Sequence, residues 1–356
     1  SIPPTSTTHK TVCFLRQGTL MAEQLTDKPP VEQLSADAVS ELLAVVDAPK
    51  PKKYIRPFAD AGERLMDWLV NDENRFMFGL PQVDAMTRGV GRGELCYVIG
   101  KPHSGKTQVV LQAINNAGPS AKVLFFTPDE VDVLVLTKLI AINRGINVED
   151  LEHKLKVQDP AAMRMVREVA GTTFKNLFFV DRPLTFEQMS KALREAEDVW
   201  GGEATCVVVD FLELLPGSGE YGNVIALSQQ LKAWTKNENV STICLHQNSR
   251  SGGERGKAAG MDGMRYGGES EAIYVLEVYR KRDGFDAANP KEYDEWERNQ
   301  HTVTINVAKN KRPPSKVGEH DFNMNQSTGV ILPLAAIPPT TGLTAVPEIE
   351  WDEEPF

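Results

Sequence analysis

The stretch Leu95-Cys96-Tyr97-Val98-Ile99-Gly100-Lys101-Pro102-His103-Ser104-Gly105-Lys106-Thr107 decides the fold. Its first half reads as a buried apolar strand, and its second half is a complete GxxxxGK[ST] pattern. The residues that follow, TQVVLQAINNA, have helical spacing. Strand, glycine loop and helix in that order make a phosphate loop of the pattern. Gly100 and Gly105 let backbone N–H groups in the Lys101–Ser104 loop wrap phosphates at a positive helix N-terminus. Lys106 is expected to reach the outer phosphates and the Thr107 hydroxyl to ligate Mg²⁺. The expected cofactors are therefore ATP, or another NTP or dNTP, and Mg²⁺.

Further short apolar runs alternate with helical stretches on the C-terminal side: KVLFFT (122–127), NLFFV (176–180), CVVVD (206–210), STICLH (241–246), AIYVLEVY (272–279) and TVTINVA (302–308). That alternation predicts a mainly parallel α/β sheet. Of the five runs from LCYVIG to STICLH, four are uniformly apolar, so helices should cover both faces. No helix is read between the last two runs, which predicts antiparallel additions. Asp210 closes CVVVD, and an acid ending a buried strand is costly unless a metal or partner compensates it; it is the candidate for the Mg²⁺ shell. The KVLFFT run leads into Pro128-Asp129-Glu130. Strand ends on this edge face the ligand crevice, so one of these two carboxylates should order the attacking water. The other would suit the first turn of the next helix.

Composition bounds the rest. The 356 residues carry 39 Lys+Arg against 49 Asp+Glu, with 41% hydrophobic residues, as expected of a globular chain with a sizeable core and not of a disordered or fibrous one. No apolar run is long enough for a membrane span. The four cysteines, Cys13, Cys96, Cys206 and Cys244, show no metal spacing and read as reduced thiols of a cytoplasmic protein. Residues 1–30 read as a mobile arm. Residues 31–74 hold two linker helices, at 31–47 and about 60–71, and 75–332 is the main domain. Residues 333–356 form an acidic, Pro-rich tail. The Gly-rich segment 250–265 carries Arg250, Arg255, Lys257 and Arg265, which suits a phosphate backbone more than base stacking.

In this order the motifs resemble the RecA-like motor domain of DnaB-type replicative hexameric helicases, over about 75–332, in a version without the family's large N-terminal domain. FGLPQVDAMTRGVGRGELCYVIGKPHSGKT is similar to the family's opening segment and phosphate loop, VLFFTPDE to its second strand with the catalytic glutamate, and VVVDFLELL to its metal-binding strand. SQQLKAWTKNENVSTICLHQNSR is similar to the sensor segment ending at Gln247. MRYGGESEAIYVLEVYR resembles the last motif, and AKNKR the segment with the arginine finger. An ungapped match places Asp129 at the catalytic position, while a shift of one residue restores Glu130, the residue favoured here. At the finger the family's Lys-x-Arg spacing falls on Lys309 and Lys311, with Arg312 one place beyond.

The resemblance implies a RecA-like P-loop core with a short N-terminal helical arm, and a ring, most simply a hexamer, that hydrolyses ATP while moving on single-stranded DNA. Two rival expectations share the phosphate loop: a recombinase or recombination mediator on single-stranded DNA, and a nucleotide-gated scaffold with slow hydrolysis. The chain's end, Glu348-Ile349-Glu350-Trp351-Asp352-Glu353-Glu354-Pro355-Phe356, resembles the tips of single-stranded DNA-binding proteins. Trp351 and Phe356 are its candidate contacts for a basic, apolar pocket on a polymerase or other replication protein.

Overall fold

The computed structural model describes residues 57–71, 74–216, 221–247, 256–258 and 270–334. The predicted arm, the helix at 31–47, Arg250, Arg255, Arg265 and the acidic tail with Trp351 and Phe356 lie outside the described residues. Two units divide the chain, Ser1–Arg64 and Leu65–Phe356. A 3-10 turn at Phe58–Asp60 belongs to the first, and helix α1, Ala61–Val70, crosses the boundary in sequence, with Leu65–Val70 counted in the second.

In the second unit the chain runs through β1 (Arg75–Phe76), α2 (Pro81–Thr87), β2 (Val90–Gly91), β3 (Leu95–Gly100), α3 (Lys106–Ala117) and β4 (Val123–Phe126). Three helices follow, α4 (Asp132–Arg144), α5 (Val148–Lys156) and α6 (Pro160–Thr172), then β5 (Leu177–Val180), α7 (Phe186–Trp200), β6 (Cys206–Val209), α8 (Tyr221–Glu238) and β7 (Ser241–Gln247). The last elements are β8 (Tyr274–Tyr279), α9 (Tyr293–Asn299), β9 (Thr302–Asn310), β10 (Gly318–Met324) and β11 (Ile331–Pro333).

Among the described residues one nine-stranded sheet has the order β11-β10-β9-β8-β3-β7-β6-β4-β5. The pairs from β8 through β5 are all parallel. Every residue of β3, β4 and β6 is buried, as a strand covered on both faces requires. Alternation sorts their side chains into two cores. Cys96, Val98 and Phe125 pack with Val109 of α3 and Leu139 of α4, while Tyr97, Ile99 and Phe126 pack with Leu193 of α7 and Trp234 of α8. Losing one buried ring such as Phe125 costs about 3–5 kcal/mol. Local chemistry fixes the helix ends: Thr185 and Gln188 form a reciprocal capping box on α7, satisfying two backbone donors.

Two expectations need correction. The run at 272–279 forms β8, which lies parallel to β3; antiparallel pairing begins only at β9. The connection from β8 to β9 also contains a helix, α9, whose seven residues are mostly charged and give too little apolar periodicity to read. The sheet extends further than the apolar runs implied. Strand β10, GEHDFNM, buries Phe322 and Met324 but few of its other side chains.

The candidate nucleotide site

The central parallel strands end together, and a pocket of about 640 Å³ opens there, walled by Lys106, Thr107, Asp129, Glu130, Asp210 and Gln247. The sequence placed these residues on four separate strand ends or loops, and the sheet order brings them to one crevice. The phosphate loop is possible only with its glycines. A Cβ on Gly100 would lie 2.3 Å from the Val278 carbonyl oxygen, and Gly105 starts α3 at φ +100°, a conformation that side chains disfavour.

Lys106 Nζ donates to the carbonyl oxygens of Gly100 and Lys101, both at 3.0 Å, so its ammonium waits at the loop mouth where phosphate oxygens can replace them. Thr107 Oγ1 donates to Asp210 Oδ2 at 3.0 Å. Asp210 is 7% exposed. Burial pushes its carboxyl up to about 6; the Thr107 bond opposes that rise, the nearby Asp129 charge adds to it, and Lys106 and Glu130 act more weakly in opposite senses. A hydroxyl and a buried carboxylate surrounded by further acid are hard oxygen donors that fit Mg²⁺. Among the described residues no group of three or more His, Cys, Asp or Glu forms another metal cluster.

Asp129 and Glu130 both line the pocket but are held differently. Glu130 is clamped by Lys138 of α4, whose Nζ lies 2.5 and 2.8 Å from its two carboxylate oxygens. The Thr127 hydroxyl fixes the same turn by donating to the Glu130 carbonyl oxygen at 2.8 Å. Asp129 is exposed and acts on Asp210 more strongly than Glu130 does. Gln247 ends β7 directly across from Gly100.

Sequence reasoning missed part of this wall. Met324 at the end of β10, and Asn325 and Gln326 in the turn that follows it, line the pocket, as does Lys138. The turn is tied to α3: Gln108 Nε2 donates to the Gly329 carbonyl oxygen at 2.8 Å, and Gln112 Oε1 accepts from the Ile331 N–H at 2.9 Å. The signal was present in NQSTG, a turn composition, and in two glutamines spaced one helical turn apart.

The finger segment divides. Arg312 is engaged within its own unit. Its guanidinium pairs with Glu94, donates to the Thr87 carbonyl oxygen at 3.2 Å and lies 4.9 Å from the centre of the Trp68 ring, whose indole also meets Arg75 at 4.4 Å. Lys309 stands on β9 opposite Val275, and Lys311 Nζ donates to the Ser270 carbonyl oxygen at 2.6 Å. Of the basic-loop residues, Lys257 is described, and it walls a neighbouring cavity together with Lys101. Cys96, Cys206 and Cys244 are buried and not in disulfides, with burial pushing the thiols of Cys96 and Cys206 up. Among the described residues no helix is long and apolar enough to cross a membrane.

Comparison with known proteins converges on one family. A profile of the DnaB-like helicase C terminal domain matches residues 76–328. The chain is 24% identical over 246 residues to the replicative DNA helicase DnaB of Geobacillus stearothermophilus, covering 66% of this chain and 52% of that protein. It is 24% identical over 322 residues to the replicative DNA helicase DnaC of Bacillus subtilis, covering 85% and 67%. The chain thus spans about half the length of several curated relatives. Among solved structures, an isolated ATPase domain aligns with a TM-score of 0.64 at 18% identity, over 79% of this chain and 99% of that one. A DnaB-like replicative helicase, solved in a study of its interactions with primase, aligns at 0.63 and 20% identity, over 92% and 76%. Both share the fold.

Proposed function

Because the chain belongs to the DnaB-like helicase C-terminal domain family, we propose that it is a ring-forming ATPase, most simply a hexamer, that moves on single-stranded DNA and unwinds duplex ahead of it. The observation that carries the catalytic half is the Thr107–Asp210 hydrogen bond across the phosphate loop, beside Asp129 and Glu130.

Lys106 would leave the Gly100 and Lys101 carbonyl oxygens for the outer phosphates, and Thr107 and Asp210 would hold Mg²⁺. The metal would supply charge that offsets the phosphate oxygens during transfer. Asp129 takes the water-ordering role in preference to Glu130, because Lys138 already claims both Glu130 oxygens and the ungapped family match falls on Asp129. Glu130 and Lys138 fix the turn that aims it. Gln247 reads the γ-phosphate. With Arg312 committed to Glu94 and Trp68, the cations offered to the neighbouring subunit's nucleotide are Lys309 and Lys311, stabilising charge that develops in transfer.

Arg250, Arg255, Lys257 and Arg265 grip the DNA backbone. The acidic tail, through Trp351 and Phe356, docks a polymerase or another replication protein, and the protein works in the cytoplasm. Deleting residues 348–356 should weaken that association with a steep salt dependence; unchanged binding to every replication partner would exclude the docking role. Electron microscopy with a non-hydrolysable ATP analogue and single-stranded DNA tests the assembly. Closed six-membered rings are expected, whereas open filaments or monomers would contradict the proposal.

A further inference from the structure

A second cavity, of about 360 Å³, shares Pro102 with the nucleotide pocket. Its other walls come from the phosphate loop, the end of β8, the turn after it, α9 and the short segment 256–258. Lys101, Lys257, Arg280 and Arg282 face it against only two acids, Glu277 and Asp283. Arg280 is part of the frame, because its Nε and Nη2 donate to the carbonyl oxygens of Thr302 and Gln300 at 2.9 and 2.6 Å. Burial, with the neighbouring Arg282 charge, lowers its pKa to about 10, so it stays charged at neutral pH. Segment 256–258 is pressed onto the turn after β8; a Cβ on Gly256 would lie 2.5 Å from the Gly284 nitrogen.

Two features point to an anionic ligand that carries a ring. The Ser104 hydroxyl, on the loop wall, is 2% exposed and has no hydrogen-bond partner, although a buried hydroxyl is normally paired. Phe285 and Trp296 supply an aromatic wall beside the cations, and aromatic faces stack on any base while Lys and Arg meet its phosphate. ATP phosphates already have their own pocket, and Lys257 belongs to the basic loop. We propose that this cavity takes one nucleotide unit of single-stranded DNA. Its phosphate sits among Lys101, Lys257, Arg282 and the Ser104 hydroxyl, and its base lies against Trp296 and Phe285. A strand bound there touches the same loop that holds the ATP phosphates, giving DNA a direct contact with the hydrolytic site.

This inference rests on the DNA-motor reading, and one experiment separates the two. The 356-residue chain is photocrosslinked to oligo(dT) carrying 5-iododeoxyuridine, and the adducts are mapped by mass spectrometry, with binding of the same oligonucleotide measured across a salt series. Adducts are expected at Trp296 or Phe285. Trp296→Ser and Arg282→Ala should each weaken oligonucleotide binding about tenfold, Arg282→Ala should also reduce the salt slope, and Trp296→Phe should restore binding. Melting temperature and DNA-free ATP hydrolysis should stay unchanged. Adducts confined to other segments, with both variants binding normally, would overturn the site while leaving the motor intact. Adducts at Trp296 abolished by free thymidine monophosphate at equal nucleotide concentration would assign the cavity to a free nucleotide and overturn the strand. No binding of oligo(dT) by the wild type would instead refute the DNA-motor reading.

Discussion

Thr107 and Asp210 lie on different elements, the first turn of α3 and the end of β6, and one 3.0 Å hydrogen bond joins them. Asp210 is nearly buried there, within electrostatic reach of the carboxylates of Asp129 and Glu130 and of the Lys106 ammonium. A metal site before metal binding is therefore a place where negative charge is held against its own preference.

Stability of the nucleotide-free fold should follow that charge. The Asp210 carboxyl rises from an ordinary 3.8 to about 6 in the folded chain, chiefly through burial. Well below pH 3.8 it is protonated in both folded and unfolded chains. As pH climbs from there through about 6, the unfolded chain ionises first and the nucleotide-free fold loses about 3 kcal/mol, at about 1.4 kcal/mol per tenfold change in proton affinity. Asp210→Asn should raise the melting temperature of the nucleotide-free protein at pH 7.5 and leave it nearly unchanged at pH 4, while abolishing turnover. A gain of the same size at both pH values would contradict the burial account.

Asp129→Asn should lower ATP turnover by about 10²–10⁴-fold, the usual worth of a positioned base, with little change in melting temperature. Glu130→Gln and Lys138→Ala, which break one ion pair from its two ends, should resemble each other and lose about tenfold or less. Steady-state kinetics of the three variants decides it: a larger loss in Glu130→Gln than in Asp129→Asn returns the water to Glu130.

Arg312→Ala removes a guanidinium that pairs with Glu94 and covers Trp68. Leaving that carboxylate without its partner should destabilise the protein by about 3–5 kcal/mol, visible as a large fall in melting temperature. Lys311→Ala should keep the melting temperature and lose turnover, and mixing it with Lys106→Ala protein should recover activity if lysine acts on the neighbour's nucleotide. A normal melting temperature with lost turnover in Arg312→Ala would instead make Arg312 the finger.

Gln108→Ala unties the β10–β11 turn from α3 at Gly329, on the surface that faces the pocket. The Michaelis constant for ATP should rise about tenfold with turnover number largely kept, because the wall is loosened and the reacting groups are not. Titration of turnover against ATP measures it, and a fall in turnover number at unchanged Michaelis constant would place Gln108 in the chemistry.

The parallel core was legible because its strands are apolar throughout: LCYVIG in the sequence is β3 residue for residue. The phosphate loop was legible because backbone wrapping of phosphate demands glycine at fixed spacing. The far edge was not. Strand β10 buries little beyond Phe322 and Met324, so its pattern is that of a solvated segment, and its contribution to the pocket depends on pairing with β9 rather than on its own composition. Lys138 was hidden for a related reason, since a lysine on a helix normally reads as surface and only the turn at Thr127–Glu130 makes it a partner. Arg312 carried a misleading signal. Its neighbours fit the finger spacing, and only the tertiary meeting with Glu94 and Trp68, more than two hundred positions earlier in the chain, shows where its charge is used.

If ATP hydrolysis at Lys106 and Asp210 drives movement on DNA, strand separation and ATP consumption must rise and fall together. Unwinding of a forked duplex reads this out, with ATP consumption recorded in the same reaction for the wild type and for Lys106→Ala. The wild type should separate the strands only with ATP and Mg²⁺, and single-stranded DNA should accelerate its hydrolysis. Lys106→Ala should lose both activities together, by about a hundredfold or more, as removal of charge stabilisation at a transferring phosphoryl group does. Hydrolysis that ignores DNA, with no strand separation on any fork, would contradict a DNA motor.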